Sequence, residues 1–148
     1  MRVDERTRRP HRRLILSAVA IVGALAVLSG ALFVWPRSDT PTHADAVVVP
    51  GGEGERVPEA IRLVRRGLAP VLAVSAAHEG WGPCPTERLP VEVICFRPEP
   101  YTTQGEARWL ADTARARGWR SVIVVVSTAQ ATRARLRVGR CYGGHVEV

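Results

Sequence analysis

The sequence contains no lysine: all 21 of its basic residues are arginine. Aromatic residues make up only 5% of it. A nucleic-acid binder gathers basic residues on a folded face, often interleaved with aromatic platforms. Here the basic excess sits elsewhere. Residues 1–13 carry six arginines against Asp4 and Glu5, so the tail alone accounts for +4 of the +7 net charge. Nucleic acid is therefore not an expected partner. There is no C-x-x-C, and His43, His78 and His145 are scattered, so no metal site is expected. Neither G-x-G-x-x-G nor a P-loop occurs. Ser75 and Ser127 lack the sequence surroundings of a catalytic nucleophile, and no Ser/His/Asp arrangement is evident. No internal repeat or low-complexity tract is visible.

One long hydrophobic run is present. Leu14 to Val34 is 21 residues without a charged side chain. At about 1.5 Å rise per residue, such a helix crosses a hydrocarbon core of roughly 30 Å. Trp35 stands where an interfacial aromatic belongs, and Pro36 ends the helix. Arg2, Arg6, Arg8, Arg9, Arg12 and Arg13 all precede the run. The positive-inside rule then places the N-terminus in the cytoplasm and the rest of the chain outside. A cleavable signal peptide is the competing reading, with Ser29-Gly30-Ala31 as its cleavage site. The run is longer than a usual signal core and continues past Ala31, which favours an uncleaved signal-anchor. Both readings export the domain. The division expected is a basic tail at 1–13, an anchor at 14–35, a polar linker at 36–44 and an α/β domain at 45–148.

Export fits the cysteines. Cys84 and Cys95 flank a Pro-rich loop and are a plausible disulfide in an oxidising compartment, leaving Cys141 over.

Within the domain, buried-strand patterns alternate with amphipathic-helix patterns. Ala46–Val49, Val71–Ser75, Val91–Phe96 and Ser121–Val126 read as strands, and His145–Val148 as the start of a fifth. Val57, Ala60, Ile61 and Val64 form one helical stripe, and Gly67 stops that helix. A second helix opens at Thr103 with Glu106 at capping-box spacing and ends at Gly118; a third runs over Thr132–Arg140. This alternation predicts an open parallel sheet with flanking helices. A last strand with nothing after it to cover it predicts that the chain is a truncated form of a longer domain.

In open parallel sheets ligands bind beyond the carboxyl ends of the strands. That rule selects Gly51 and Gly52, Ser75, Thr102 and Thr103, Ser127 and Thr128. Small or hydroxylated residues near helix N-termini suit an anion such as phosphate or carboxylate. Gly51-Gly52 also reads as a simple tight turn, and Thr103 with Glu106 as a reciprocal helix cap. Arg56 and Arg133 sit early in their helices, where a cation opposes the helix dipole, and this marks them as site candidates.

These segments carry a family likeness. Asp45-Ala-Val-Val-Val-Pro-Gly-Gly52, then Arg56 and Ala60, then Arg66-Gly-Leu-Ala-Pro70 into Val71–Ser75 resemble the opening of the YdcF-like family. Thr103-x-x-Glu106-Ala107 and Val124-Val-Val-Ser-Thr128 leading to Arg133-Ala134-Arg135 are similar to its later motifs. The likeness covers roughly residues 44–142. It implies a Rossmann-like domain, frequently membrane-tethered, serving cell-envelope biogenesis in peptidoglycan or lipid-carrier metabolism. It also implies S-adenosylmethionine as a possible ligand, and a pocket built from Gly51, Gly52, Arg56, Ser75, Thr103, Glu106, Ser127, Thr128 and Arg133. Members often carry a histidine shortly before the arginine of the last motif. Here Gln130 stands there, and it has no acid–base chemistry near neutral pH. Three functions follow as expectations. The first is a tethered envelope protein that binds an anionic small molecule or lipid-linked precursor. The others are a phosphatase or transferase acting on such a precursor, and an inactive truncated paralogue or scaffold that contacts other envelope proteins.

Overall fold

The computed structural model describes residues 5–51, 55–76 and 84–148, with side chains from Arg12 onward. The start of the arginine tail, Gly52, and much of the loop after Ser75 lie outside the described residues. Helix α1 runs from Glu5 to Ser29 and continues as a wider turn over Gly30–Val34. From Arg12 to Val34 it is long and apolar enough to cross a membrane, and none of that stretch is buried against the rest of the chain. The helix stops where Trp35 folds back: its amide donates to the Gly30 carbonyl at 3.0 Å. Pro36 cannot continue the ladder.

The elements that follow are β1 (Ala46–Val49), α2 (Arg56–Arg65), β2 (Val71–Ser75), β3 (Glu92–Phe96), α3 (Thr103–Arg117), β4 (Ser121–Val124), α4 (Ala131–Cys141) and β5 (His145–Glu147). All five strands are parallel, in the order β3-β2-β1-β4-β5. The alternation foreseen from the sequence is therefore present, with strand ends trimmed: pairing on β4 stops at Val124.

Period-two alternation sorts the core onto two faces. Val47, Val49, Leu72, Val74 and Ile123 face α2, where Ala60, Leu63 and Val64 meet them. Ala46, Val48, Ala73, Val122 and Val124 face α3 and α4, against Leu110, Ala111, Ala114 and Val138. β1 and β2 are fully buried strands, whereas β3 is a half-exposed edge. Phe96 on that edge stacks on Trp109 of α3, with ring centroids 3.5 Å apart. Cys84 and Cys95 are joined, their Cα atoms 6.0 Å apart, tying the loop to β3.

One helix covers one face and two cover the other. The part of the α2 face under β4 and β5 is met by the segment between α1 and β1. The Asp39 amide donates to the Val148 carbonyl at 2.9 Å. The Asp39 carboxylate accepts from the Val148 amide at 3.0 Å and from Arg135 at 2.8 Å. Thr42 donates through its amide (2.9 Å) and hydroxyl (2.6 Å) to Glu147, a buried carboxylate. Residues 36–44 thus form no helix or strand, but they are hydrogen-bonded along β5.

Asp45 makes a second long-range stitch. Its carboxylate accepts from the amides of Arg120 (2.7 Å) and Ser121 (2.9 Å), joining the start of β1 to the start of β4. Those two bonds hold its carboxyl below the usual range.

Candidate functional site

From β1 the chain builds outward in both directions, to β2 and β3 on one side and to β4 and β5 on the other. The strand order therefore reverses between β1 and β4. In open parallel sheets the crevice beyond the carboxyl ends at such a point is where ligands bind. A small cleft, partly open to solvent, lies there between α3 and α4. Its floor is apolar, formed by Val48, Leu110, Val124 and Val138. Its rim carries Thr103, Glu106, Gln130 and Arg133.

The start of α3 differs from the sequence expectation by one residue, and the difference matters. Thr102, not Thr103, is the N-cap: it has extended backbone, and its hydroxyl accepts from the Gly105 amide at 3.2 Å. With Thr103 as the first helical residue, Glu106 is out of phase for a reciprocal cap. Its carboxylate instead reaches across to β1 and accepts from the Gly51 amide. The expected capping box is thus a simple Thr102 cap, and Glu106 belongs to the cleft.

Glu106 is half-buried. Burial pushes its carboxyl above the usual range, and four groups oppose that rise: the Gly51 amide, the Ser75 hydroxyl, Arg56 and Arg133. A methyl group placed on Gly51 would lie 3.0 Å from Glu106 Oε1, 3.0 Å from Tyr101 Oη and 3.2 Å from Ser75 Oγ. Three polar side chains therefore converge on this glycine. Ser75 Oγ is buried; among the described residues it makes no hydrogen bond of good geometry, although it lies near enough to Glu106 to favour the ionised carboxylate.

Arg56 donates to the Gly51 carbonyl and to Gln130 Oε1, both at 3.3 Å, so it spans the mouth from α2 toward α4. Arg133 donates to Thr103 Oγ1 at 3.3 Å, closing the gap between α4 and α3. The structure thus brings Gly51, Arg56, Ser75, Thr103, Glu106, Gln130 and Arg133 to one place. Ser127 and Thr128 are exposed on the turn before α4 and do not line the cleft. The Gly51 amide, which sequence reasoning offered to a ligand, is engaged by Glu106. Tyr101 was missed. Its only sequence signal was its position, between Pro100 and Thr102 beyond the end of β3.

Two guanidinium groups, Arg56 and Arg133, act on the one Glu106 carboxylate. The arrangement suits an anionic group bridging Arg56 and Arg133, with an apolar portion on the floor. Comparisons of the chain with family models, with curated proteins and with solved structures find no match.

The raised carboxyl sets a sign for pH dependence. A group that binds its proton more tightly folded than unfolded gives full stability below its ordinary value, here 4.5, and loses it as pH rises through the folded value. Glu106→Gln keeps an acceptor for the Gly51 amide and cannot ionise. Its thermal midpoint is expected to match the parent near pH 4 and to exceed it by a few degrees at pH 8. Melting curves across that range check it. A variant less stable than the parent at pH 8 refutes the assignment.

Proposed function

We propose that this chain is a membrane-tethered, Rossmann-like envelope protein of the YdcF-like kind that binds an anionic small molecule or lipid-linked precursor. In this reading the N-terminus is cytoplasmic and the domain extracytoplasmic. The observation that carries it is the Arg56–Glu106–Arg133 cluster over an apolar floor, at the crevice where the strand order reverses. A phosphate-bearing ligand with a hydrocarbon portion matches both parts. S-adenosylmethionine enters this reading only through the family likeness.

The test is a thermal-shift screen of the full chain in detergent against inorganic phosphate, nucleotides, phosphorylated lipid headgroups and S-adenosylmethionine. A ligand at about 100 times its Kd adds about 2.7 kcal/mol of stability. A phosphorylated compound is expected to give that shift, and Arg133→Glu to abolish it. No shift from any of them, or a shift indifferent to Arg133→Glu, defeats the reading.

A second reading, a phosphatase or transferase on such precursors, draws on the desolvated Glu106 beside the buried Ser75 hydroxyl. A carboxyl raised by burial is a suitable proton-handling group. If a phosphate ester is turned over, Glu106→Gln is expected to lower kcat by about 10²–10⁴-fold while the binding shift persists.

A further inference from the structure

We propose that α4 lies on the bilayer surface and that the groove between it and the end of α1 takes the phosphate headgroups of anionic phospholipids. The proposal starts from a hydrogen bond. Thr132, in the first turn of α4, donates its hydroxyl to the Leu32 carbonyl at 2.7 Å. Leu32 lies in the last turn of the stretch long enough to cross a membrane. The final turn of a spanning helix sits at the boundary between hydrocarbon and headgroups, where Trp35 also belongs. α4 is therefore held at headgroup depth. Arg135 reinforces this by donating to the Arg37 carbonyl at 3.1 Å and to Asp39 at 2.8 Å, which ties the helix to the first residues beyond the span.

What α4 presents there suits a lipid surface. Ala131, Ala134 and Val138 are buried against the sheet. On the outer side Leu136 is 60% exposed and shares an open groove with Leu32 and Phe33. Arg133, Arg137 and Arg140 line the same groove. The helix contains no acidic residue, and Arg137 and Arg140 make no ion pair among the described residues. A basic helix with an outward leucine, fixed beside the last turn of a membrane anchor, complements anionic headgroups in both charge and depth. Arg133 belongs to the rims of both the groove and the cleft. The cleft mouth then opens at the bilayer surface, where a lipid-linked ligand would present its phosphate.

The inference rests on α1 spanning a bilayer, and it is tested on the full chain in nanodiscs. A nitroxide is placed by Leu136→Cys in a Cys141→Ser background, with Arg62→Cys on α2 as a solvent-facing control. Collision with oxygen and with a water-soluble nickel chelate reports depth. In nanodiscs containing phosphatidylglycerol the label at 136 is expected to favour oxygen and the label at 62 the chelate. The double change Arg137→Glu with Arg140→Glu is expected to turn the label at 136 toward the chelate, with circular dichroism unchanged. A label at 136 that reads as water in anionic nanodiscs overturns the proposal. So does a lipid-depth reading equally strong in pure phosphatidylcholine and indifferent to the double change, because no headgroup charge is then recognised. Failure of the span itself shows separately, as protein that does not co-elute with nanodiscs. The ligand screen above stands or falls on its own readout.

Discussion

Gly105→Ala is expected to lower the melting midpoint of the full chain by roughly 10 °C, a loss of about 2 kcal/mol. The sign is the informative part. Glycine inside a helix normally costs about 1 kcal/mol relative to alanine, so replacing it should help. Here a Cβ on residue 105 would stand 2.0 Å from the Pro100 carbonyl oxygen, with the carbonyl carbons of Pro100 and Glu99 at 3.1 and 3.2 Å. These are backbone atoms, and the same Pro100 oxygen accepts from the Thr102 amide at 2.8 Å, in the turn that caps α3. The first turn of α3 must lift away by more than an ångström, carrying Glu106 from Gly51. Gly139 in α4 supplies the control, since nothing lies within 4 Å of a Cβ there. Gly139→Ala is expected to stabilise by about 0.5–1 kcal/mol. Thermal melts of the two variants side by side decide the matter. Equal effects of the same sign would rule out the close approach at Gly105.

Leu72→Ala is expected to cost about 4 kcal/mol and Leu110→Ala about 2–3 kcal/mol, although both leucines are almost fully buried. Leu72 sits on a central strand against α2, where deletion leaves a closed void. Leu110 forms part of the cleft floor, so its deletion enlarges a space already open to solvent and adds less new cavity. Denaturant unfolding of both variants measures the difference. A cost at Leu110 equal to or larger than that at Leu72 would argue that α3 and α4 close over the floor and no cleft exists. Leu110→Ala also widens the floor beneath the arginines, so any bound hydrocarbon portion loses contact there.

Much of the site was legible because its members lie at strand ends, and strand ends are visible in a parallel-sheet pattern. Gly51, Ser75 and Arg133 were chosen by that rule or by a misplaced charge, and the structure gathers them. Glu106 was legible as important but assigned to the wrong partner. The segment Tyr101-Thr102-Thr103 offers two threonines as caps, and the two choices differ by one residue. Only the position of the Pro100 turn against Gly105 selects Thr102. That selection rotates the phase of the helix start and frees Glu106 for a residue 55 positions away in the chain.

The sequence by itself determined what repeats locally. The uncharged run long enough for a membrane, the strand and helix order, and the buried stripes of the helices all follow from local periodicity or from composition. Tertiary structure decided what depends on distant pairs. It set the strand order that opens the crevice between β1 and β4, the strapping of Asp39 and Thr42 along β5, and the docking of Thr132 on the last turn of the long apolar helix. Each of these is a hydrogen bond or a packing contact between residues about 75 to 110 positions apart. No local pattern encodes such a pairing, because its energy exists only after the sheet has brought both partners together.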